Sequence, residues 1–251
     1  MKIVVIGGTG LIGTKVATKL SKAGHQAVAA APNTGVNTLT GEGLAAVLEG
    51  AQVIVDVSNS PSFEDKAVMD FFRTSTTNLL QYGAKARVGH LVALSVVGAE
   101  RLADSGYLRA KIAQETIIRD GKLPYSIVHA TQFFEFVKAL ADLATQGGQV
   151  RIAPVFIQPM AADDVATAVG RVSVGTPING IVEVAGPDKF RLDELAGRAL
   201  KAIGDPREVV ADPNALYFGA RLSDNSLVPE ADAVLGEIRF DDWAAQGNLK
   251  K

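Results

Sequence analysis

The chain has 251 residues, of which 47% are hydrophobic and 21% charged, and its formal net charge is −2. This balance is ordinary for a globular protein and excludes an intrinsically disordered chain. The chain has no cysteine, which excludes disulfide scaffolds and thiolate chemistry, and its three histidines lack the paired spacing of a catalytic zinc site. The sequence lacks the basic stripe that is typical of nucleic-acid binding proteins. No apolar run reaches the ~18–20 residues that a membrane helix needs. We therefore expect a cytoplasmic protein with no metal, nucleic-acid partner or membrane partner.

The first half of the chain alternates short β-branched runs with longer amphipathic stretches. The apolar runs predict strands, and apolar residues at helical spacing predict helices. The predicted strands are residues 2–6, 26–31, 53–57, 90–94 and 125–130. The predicted helices are residues 11–23, 44–48, 66–82 and 107–119. This alternation is typical of βαβ units, so we expect an α/β fold with a Rossmann-type, doubly wound parallel sheet.

The pattern loosens after about residue 131. We predict a helix at 133–144, an extended segment at 150–157 interrupted by Pro154, helices at 162–174 and 192–203, and a strand at 180–185. The tail from residue 204 is rich in turns. We interpret the chain as a single dinucleotide-binding domain, with a core over about residues 1–150 and a small C-terminal cap on the substrate side over about 151–251.

A glycine-rich turn follows the first predicted strand and opens the first predicted helix. Its spacing, G-x-x-G-x-x-G, lets the backbone turn tightly and approach a pyrophosphate, which the free N–H groups of the helix then bind. The position between strand and helix is the context that makes this pattern informative. The expected cofactor contacts in the turn are Gly7, Thr9, Gly10, Leu11, Ile12 and Gly13.

The segment after the second predicted strand bears on the choice of dinucleotide. An acid there would bind the ribose hydroxyls of NAD, whereas an Arg would favour the 2′-phosphate of NADP. Residues 30–35 (AAPNTG) contain neither, although Asn33 and Thr34 could contact a ribose or a phosphate. Because no acid would repel a phosphate, we expect NADP(H) rather than NAD(H).

The glycine spacing resembles that of the extended and atypical short-chain dehydrogenase/reductases. Residues 123–133 (LPYSIVHATQF) are similar to the P-Y-T-I-L-R-P-G-x-F stretch of the NmrA-like members, and residues 161–166 and 184–187 resemble two later segments of that group. The similarity covers roughly residues 1–203. The usual NmrA-like Arg near residues 31–32 is missing, which leaves the cofactor preference open on this comparison.

The resemblance implies a catalytic triad of Ser95, Tyr107 and Lys111. Tyr107 and Lys111 form the pattern Y-x-x-x-K, which places both side chains on one helical face. In this hypothesis Lys111 lowers the pKa of the phenol and holds the nicotinamide ribose, Tyr107 donates a proton, and Ser95 donates to the substrate carbonyl. The alternative is that Tyr107 is a buried aromatic and Lys111 only a ribose ligand.

The resemblance also indicates contacts outside the triad. Ser58 and Asn59, after the third predicted strand, are candidate ribose contacts, or else ordinary turn residues. The loop after the fifth strand lies at the ligand edge of the sheet. The candidate substrate contacts are Thr131, Gln132, Phe133, Phe134 and Tyr217. The aromatic residues among them could equally belong to the core, and we expect His129 and Trp243 to be core residues.

These observations predict an NAD(P)H-dependent oxidoreductase that reduces a carbonyl or quinone of a small, largely apolar molecule. One alternative is an NmrA-like redox-sensing module that binds NAD(P) without turnover, marked by an exposed apolar patch. Another is an epimerase or dehydratase that holds its cofactor permanently. The sequence leaves the oligomeric state open, with a homodimer as one possibility.

Overall fold

The computed structural model of the chain describes residues 1–250. Fourteen strands and eight α-helices lie in this range. The strands are β1 (Lys2–Ile6), β2 (Gln26–Ala30), β3 (Val53–Asp56), β4 (His90–Val96), β5 (Tyr125–Ala130), β6 (Thr145–Gln146), β7 (Gln149–Ile152), β8 (Phe156–Ile157), β9 (Gly180–Ala185), β10 (Phe190–Arg191), β11 (Val209–Ala211), β12 (Leu216–Tyr217), β13 (Ala220–Arg221) and β14 (Val234–Leu235). The helices are α1 (Leu11–Lys22), α2 (Leu44–Leu48), α3 (Asp65–Lys85), α4 (Gly106–Asp120), α5 (Val137–Leu143), α6 (Ala162–Val174), α7 (Leu192–Ile203) and α8 (Phe240–Ala245).

The main sheet has seven strands in the order β14-β9-β5-β4-β3-β1-β2. β1 pairs in parallel with both β2 and β3, and β3 pairs in parallel with β4. Except for Lys2, the residues of β1 and β3 are buried, as the apolar runs in these strands predict. The predicted Rossmann-type α/β fold with a doubly wound parallel sheet is therefore confirmed.

The strand order reverses between β1 and β3. The chain runs from β1 to β2 on one side and then crosses to β3 on the other side of β1. In a doubly wound sheet, ligands bind at the carboxyl ends of the strands where the order reverses in this way. The glycine turn follows β1, and residues 57–60 follow β3, so both segments lie at this switch point.

The chain divides into two compact units that interleave along the sequence. The first unit consists of Met1–Val96, Gly106–His129 and Val165–Val182. The second consists of Val97–Ser105, Ala130–Asp164 and the residues from Glu183 onward. The first unit contains β1 to β4 and helices α1 to α4, and α3 packs on α4 within it. The interpretation as a single domain with a sequential division near residue 150 stays a prediction.

One predicted element is wrong in detail. The helix expected at 133–144 is a 3-10 turn, Phe134–Phe136, followed by the shorter α5, because Phe133 leaves the helical path to form a β-bridge with Met160. The extended segment at 150–157, interrupted by Pro154, is confirmed: it forms β7 and β8, and Pro154 lies in the gap between them. The tail also contains α8, a helix that the turn-rich sequence does not predict.

Residues 1–250 contain neither a candidate membrane span nor a candidate metal cluster. No helix in this range combines the length and the apolar character that a bilayer span requires. Within the same residues, no three His, Cys, Asp or Glu side chains are grouped closely enough to hold a metal ion.

Candidate active site

The glycine turn connects the end of β1 to the start of α1. Gly7 has a φ of 74°, in the left-handed region that favours glycine, and its N–H donates to the Ala30 carbonyl at 2.9 Å. The N–H of Gly10 donates to the Gly7 carbonyl at 3.0 Å, which closes the turn. The chain is thereby directed into α1, whose first residue is Leu11.

Close backbone contacts explain two of the glycines. A Cβ on Gly13 would lie 2.1 Å from the carbonyl oxygen of Gly7, so the first turn of α1 can pack on the glycine turn only without a side chain. A Cβ on Gly7 would lie 2.8 Å from the Cα of Ser58. The turn therefore packs against α1 on one side and against the segment after β3 on the other.

The start of α1 fits a dinucleotide pyrophosphate. Gly10 is the N-cap of the helix, and no side chain caps it. A Cβ on Gly10 would meet only the Gly7 carbonyl oxygen, at 3.3 Å, so the space beyond Gly10 is otherwise open. The uncapped N–H groups of Leu11, Ile12 and Gly13 and the positive end of the helix dipole face this space, which is the arrangement that binds phosphate groups.

The segment after β2 lies beside the glycine turn. Thr9 in the turn donates from Oγ1 to Oδ1 of Asn33 at 3.2 Å, so these two predicted cofactor contacts are brought together, and both are exposed. The Thr34 hydroxyl instead accepts from the Ala31 N–H and donates to the Ala31 carbonyl, both at 2.9 Å. Thr34 therefore stabilises its own turn, and Asn33 presents the freer polar group.

Ser58 and Asn59 follow β3 at the switch point. The Ser58 hydroxyl donates to Oδ1 of Asp56 at 2.6 Å, and the Ser58 N–H donates to the same oxygen at 3.0 Å. Asn59 is exposed and accepts from the Ser60 N–H. Burial raises the pKa of Asp56, against the opposing effects of Ser58, Lys111 and Gln114. Asp56 thus holds Ser58 beside Gly7.

Lys111 is 3% exposed on α4. Its ammonium donates to the Leu94 carbonyl at 2.8 Å and to the side-chain oxygen of Gln114, and it lies 4.4 Å from the centre of the Phe72 ring. Burial lowers the pKa of Lys111 to about 8, while the charges of Asp56 and Glu115 raise it. Two of the three N–H groups are therefore used within the protein.

Tyr107 lies near the start of α4, and its ring centre is 5.6 Å from that of Phe63 and 6.1 Å from that of Phe72. Tyr107 and Lys111 both contact Phe72, as expected for residues on one helical face. Burial raises the pKa of Tyr107 to about 12. The prediction that Lys111 lowers this pKa is wrong, because the ammonium is directed to the Leu94 carbonyl and to Gln114 instead.

Ser95 belongs to a buried network around Glu115. Its hydroxyl donates to Oε1 of Glu115 at 2.6 Å, and Nε2 of His129 lies 2.8 Å from the same oxygen. Arg119 donates to Oε2 at 2.7 Å. Burial alone would raise the pKa of Glu115, but His129, Ser95 and Arg119 together hold it below its usual value. Ser95 could donate to a substrate carbonyl only if its hydroxyl first broke the hydrogen bond to Glu115. The lone pairs of the Ser95 oxygen remain available to accept a hydrogen bond.

Sequence reasoning did not identify three residues of this site: Asp56, Gln114 and Glu115. None of them belongs to a recognised motif. A signal was nevertheless present, because Gln114 and Glu115 follow Lys111 by three and four residues and therefore share its face of α4. His129 is 5% exposed and satisfied by Glu115, so the expectation of a core histidine is confirmed.

In the second unit, Thr131 and Gln132 follow β5. The Thr131 hydroxyl is buried and has no hydrogen-bond partner, and neither has the buried side-chain oxygen of Gln132. The backbone of this pair is fixed, since the Thr131 N–H donates to Val184 and the Gln132 carbonyl accepts from Met160. Buried polar atoms without partners are rare and require an explanation.

The predicted aromatic contacts differ in their surroundings. Phe134 is 1% exposed and packs against Phe240 and Trp243, so it is a core residue and not the wall of a substrate pocket. Phe133 is partly buried, with its ring stacked on that of Phe136. Tyr217 is partly buried in the hairpin of β12 and β13. The expectation that Trp243 anchors the tail is confirmed, because it packs against Phe134 and Phe240.

No family model matches the chain. A curated protein of Streptomyces griseus subsp. griseus, (4-alkanoyl-5-oxo-2,5-dihydrofuran-3-yl)methyl phosphate reductase, is 27% identical over 223 residues, which cover 81% of this chain and 74% of that protein. A short-chain dehydrogenase/reductase superfamily protein from Agrobacterium tumefaciens with bound NAD has a TM-score of 0.74 at 15% identity, covering 100% of this chain and 96% of that one. A dTDP-glucose 4,6-dehydratase double mutant from Streptomyces venezuelae with NAD bound has a TM-score of 0.73 at 17% identity, again covering 100% and 96%.

The fold and the glycine turn together define a Rossmann-type protein whose first strand and helix are joined by a turn typical of dinucleotide binding. The chain shares its fold with proteins of the short-chain dehydrogenase/reductase superfamily, and it is similar in sequence to a curated reductase. The finer resemblance to NmrA-like members stays a prediction.

Proposed function

We propose that the protein is an NAD(P)H-dependent reductase that transfers a hydride to a small, largely apolar molecule carrying a carbonyl or quinone. The observation that carries this proposal is the uncapped start of α1 at the switch point of the sheet, in the same unit as Lys111 and Tyr107. A dinucleotide site explains the open phosphate-binding geometry, and the two side chains of α4 supply the chemistry around it.

The preferred cofactor in this proposal is NADP(H). Support comes from residues 31–35, which contain no acid that would repel a 2′-phosphate. The exposed amide of Asn33, joined to Thr9 of the glycine turn, supplies a neutral polar contact at this edge. NADH then binds more weakly because it lacks the phosphate that Asn33 and its neighbours accommodate.

The residues of α4 have separate roles in the proposed reaction. When bound, the reduced nicotinamide supplies the hydride. Lys111 uses its remaining N–H to hold a ribose hydroxyl, since its other two donate to Leu94 and Gln114. Tyr107 keeps its proton at neutral pH, because burial raises its pKa to about 12. An alkoxide is a much stronger base than a phenolate, so Tyr107 still donates its proton to one.

Two observations support a substrate with a carbonyl group. The Streptomyces griseus relative is named as a reductase of an unsaturated oxo-dihydrofuran phosphate, a small conjugated molecule. The unpartnered hydroxyl of Thr131 and side-chain oxygen of Gln132 provide polar contacts for a bound molecule. We therefore include conjugated lactones with quinones and aromatic ketones as candidate substrates. A cytoplasmic location and a small-molecule partner belong to the same proposal.

The test is a turnover assay with purified protein. NADPH or NADH is mixed with quinones, aromatic ketones and unsaturated lactones, and the absorbance of the reduced nicotinamide is followed. We expect oxidation with at least one of these classes, faster with NADPH. In the Tyr107→Phe variant, kcat should fall far more than the affinity for NADPH, because the phenol acts in proton transfer.

Two results would contradict the proposal. No oxidation across the whole set, by a protein that binds NADPH, would favour the redox-sensing alternative, which needs the glycine turn but no turnover. An equal loss of turnover and NADPH affinity in Tyr107→Phe would remove Tyr107 from the reaction. The named relatives, which are enzymes, do not favour the sensing role.

A further inference from the structure

Gln114 lies between two buried charges in the first unit. Its side-chain oxygen accepts from the ammonium of Lys111, and its Nε2 donates to Oδ2 of Asp56 at 3.0 Å. All three side chains are almost fully buried, with 3%, 1% and 2% of Lys111, Gln114 and Asp56 exposed. The amide therefore bridges an ammonium and a carboxylate that do not hydrogen-bond to each other.

The bridge continues to the glycine turn. The second oxygen of Asp56 accepts two hydrogen bonds from Ser58, and the Cα of Ser58 packs on Gly7 so closely that no Cβ fits between them. A continuous set of contacts thus runs from Gly7 through Ser58, Asp56 and Gln114 to Lys111. Its two ends are the parts of the site proposed for the pyrophosphate and for the ribose.

Every element packed against Lys111 contributes to its environment. The Leu94 carbonyl at the end of β4 accepts one hydrogen bond, and the Phe72 ring of α3 covers the ammonium. The charged groups facing it are Asp56 on β3 and Glu115 on α4. Glu115 is itself neutralised by Arg119 and hydrogen-bonded to His129 and Ser95, so Asp56 is the carboxylate without a cation in direct contact.

Only an amide suits the position of Gln114. An apolar side chain would leave both the ammonium and the carboxylate without a partner, which is costly in a buried site. A carboxylate would bring a second negative charge against Asp56. The amide offers an acceptor to Lys111 and a donor to Asp56 without adding charge, and the two bonds together fix its orientation.

We propose that Gln114, together with Asp56, is a positioning residue that holds the Lys111 ammonium in place for the cofactor ribose and joins it to the glycine turn through Ser58. This role rests on the proposed function, because it assigns Lys111 to the cofactor. Gln114 acts through Lys111 and does not itself contact the reacting atoms.

The first measurement needs no turnover. The side-chain ¹³Cε signal of Lys111 is followed by NMR against pH in the cofactor-free protein and assigned with the Lys111→Met variant. Gln114→Met removes the acceptor but keeps the size of the side chain. We expect the pKa of Lys111 to fall by about one unit or more in Gln114→Met, because the ammonium loses a hydrogen-bond acceptor.

A second variant tests the carboxylate end of the bridge. In Asp56→Asn the negative charge that stabilises the Lys111 ammonium through the bridge is lost. The pKa of Lys111 should again fall. This variant decides the question if Gln114→Met does not fold.

The matched control is Gln158→Met in the second unit, which loses one hydrogen bond to the Gly186 carbonyl. It should leave both the Lys111 titration and the pH dependence of NADPH binding unchanged. In Gln114→Met, the Kd for NADPH should rise between pH 6 and pH 8 by about fivefold more than in the wild type, because a shift of one unit brings the pKa of Lys111 from about 8 into this range.

An unchanged pKa of Lys111 in both Gln114→Met and Asp56→Asn would overturn the proposal. The contacts of Gln114 with Lys111 and Asp56 would then have a structural role only. A wild-type protein that binds neither NADPH nor NADH would instead refute the proposed function. The NMR titration is independent of that result, so the two failures are distinguishable.

Discussion

Lys111 and Tyr107 lie on the same face of α4, and burial moves the pKa of each away from its usual value. Each shift favours the neutral form of the side chain, because burial disfavours charge. The phenol therefore stays protonated, whereas the charges of Asp56 and Glu115 help to keep the ammonium charged below about pH 8. This arrangement differs from one in which a lysine activates a tyrosine through direct attraction.

Replacement of Thr131 by Val tests whether its unpartnered hydroxyl serves a ligand. A buried hydroxyl without a partner costs about 1 kcal/mol or more, so Thr131→Val should raise the free energy of unfolding by about that amount. It should also raise the KM for the carbonyl substrate, because the proposed contact from this hydroxyl is lost. Urea unfolding and steady-state kinetics measure the two effects.

Thr76 provides the matched control, since its hydroxyl on α3 is equally buried and equally unpartnered. Thr76→Val should stabilise the protein in the same way but leave the KM unchanged. If Thr131→Val also left the KM unchanged, Thr131 would be a structural residue only.

At the scale of elements, alanine substitutions in the glycine turn distinguish its role in folding from its role in cofactor binding. A Cβ on Gly10 meets a single atom, at 3.3 Å, whereas a Cβ on Gly13 would lie 2.1 Å from the Gly7 carbonyl oxygen. Gly10→Ala should therefore fold with a near-normal Tm but bind NADPH about tenfold more weakly, equivalent to about 1.4 kcal/mol. Gly13→Ala should lose stability as well.

Thermal unfolding and fluorescence titration of each variant give these two quantities. Gly197→Ala in α7 is the control, because a Cβ there meets no atom within 4 Å, and it should leave NADPH affinity unchanged. Wild-type affinity in Gly10→Ala would show that the dinucleotide does not approach this turn.

Local sequence signals predicted the elements whose ends are marked by residues that terminate a helix or a strand. The bounds of α6, α7 and β9 follow from helical or strand spacing and from residues such as Gly204, which ends α7 with a φ of 73°. The segment at 133–144 could not be predicted, because tertiary contacts decide it. Phe134 is drawn into a core formed with Phe240 and Trp243, more than a hundred residues later in the chain.

The same distinction applies to the site. The glycine turn and the pattern of Tyr107 and Lys111 could be read from local spacing, since each lies within one segment. The hydrogen-bond partner of Ser95 and the carboxylate beyond Gln114 that faces Lys111 could not, because Glu115 is 20 residues from Ser95 and Asp56 is 55 residues from Lys111 in sequence. Only the fold brings such polar side chains together, and their hydrogen bonds change the roles that the motif alone implies.

At the scale of the whole molecule, Lys111 makes stability depend on pH. Its pKa falls from 10.5 to about 8 on folding, so the unfolded chain binds more protons between these values and stability rises with pH there. Each pKa unit corresponds to about 1.4 kcal/mol. The raised pKa of Tyr107 acts in the opposite direction above pH 10, where stability should fall again.

Urea unfolding at pH 8 and at pH 10 measures the gain in the free energy of unfolding that the titration of Lys111 predicts. We expect it in the wild type and in Lys122→Met, a control at an exposed lysine. It should be much smaller in Lys111→Met. An equal gain in all three proteins would show that Lys111 does not carry this titration.

The proposed function depends above all on the start of α1, which we expect to bind a nicotinamide dinucleotide. Titration of the purified protein with NADPH and with NADH, followed by nicotinamide fluorescence, tests it most directly. We predict saturable binding of both, with NADPH tighter than NADH. Absence of binding for both nucleotides would contradict the assignment of Gly7 to Gly13 and the function proposed from it.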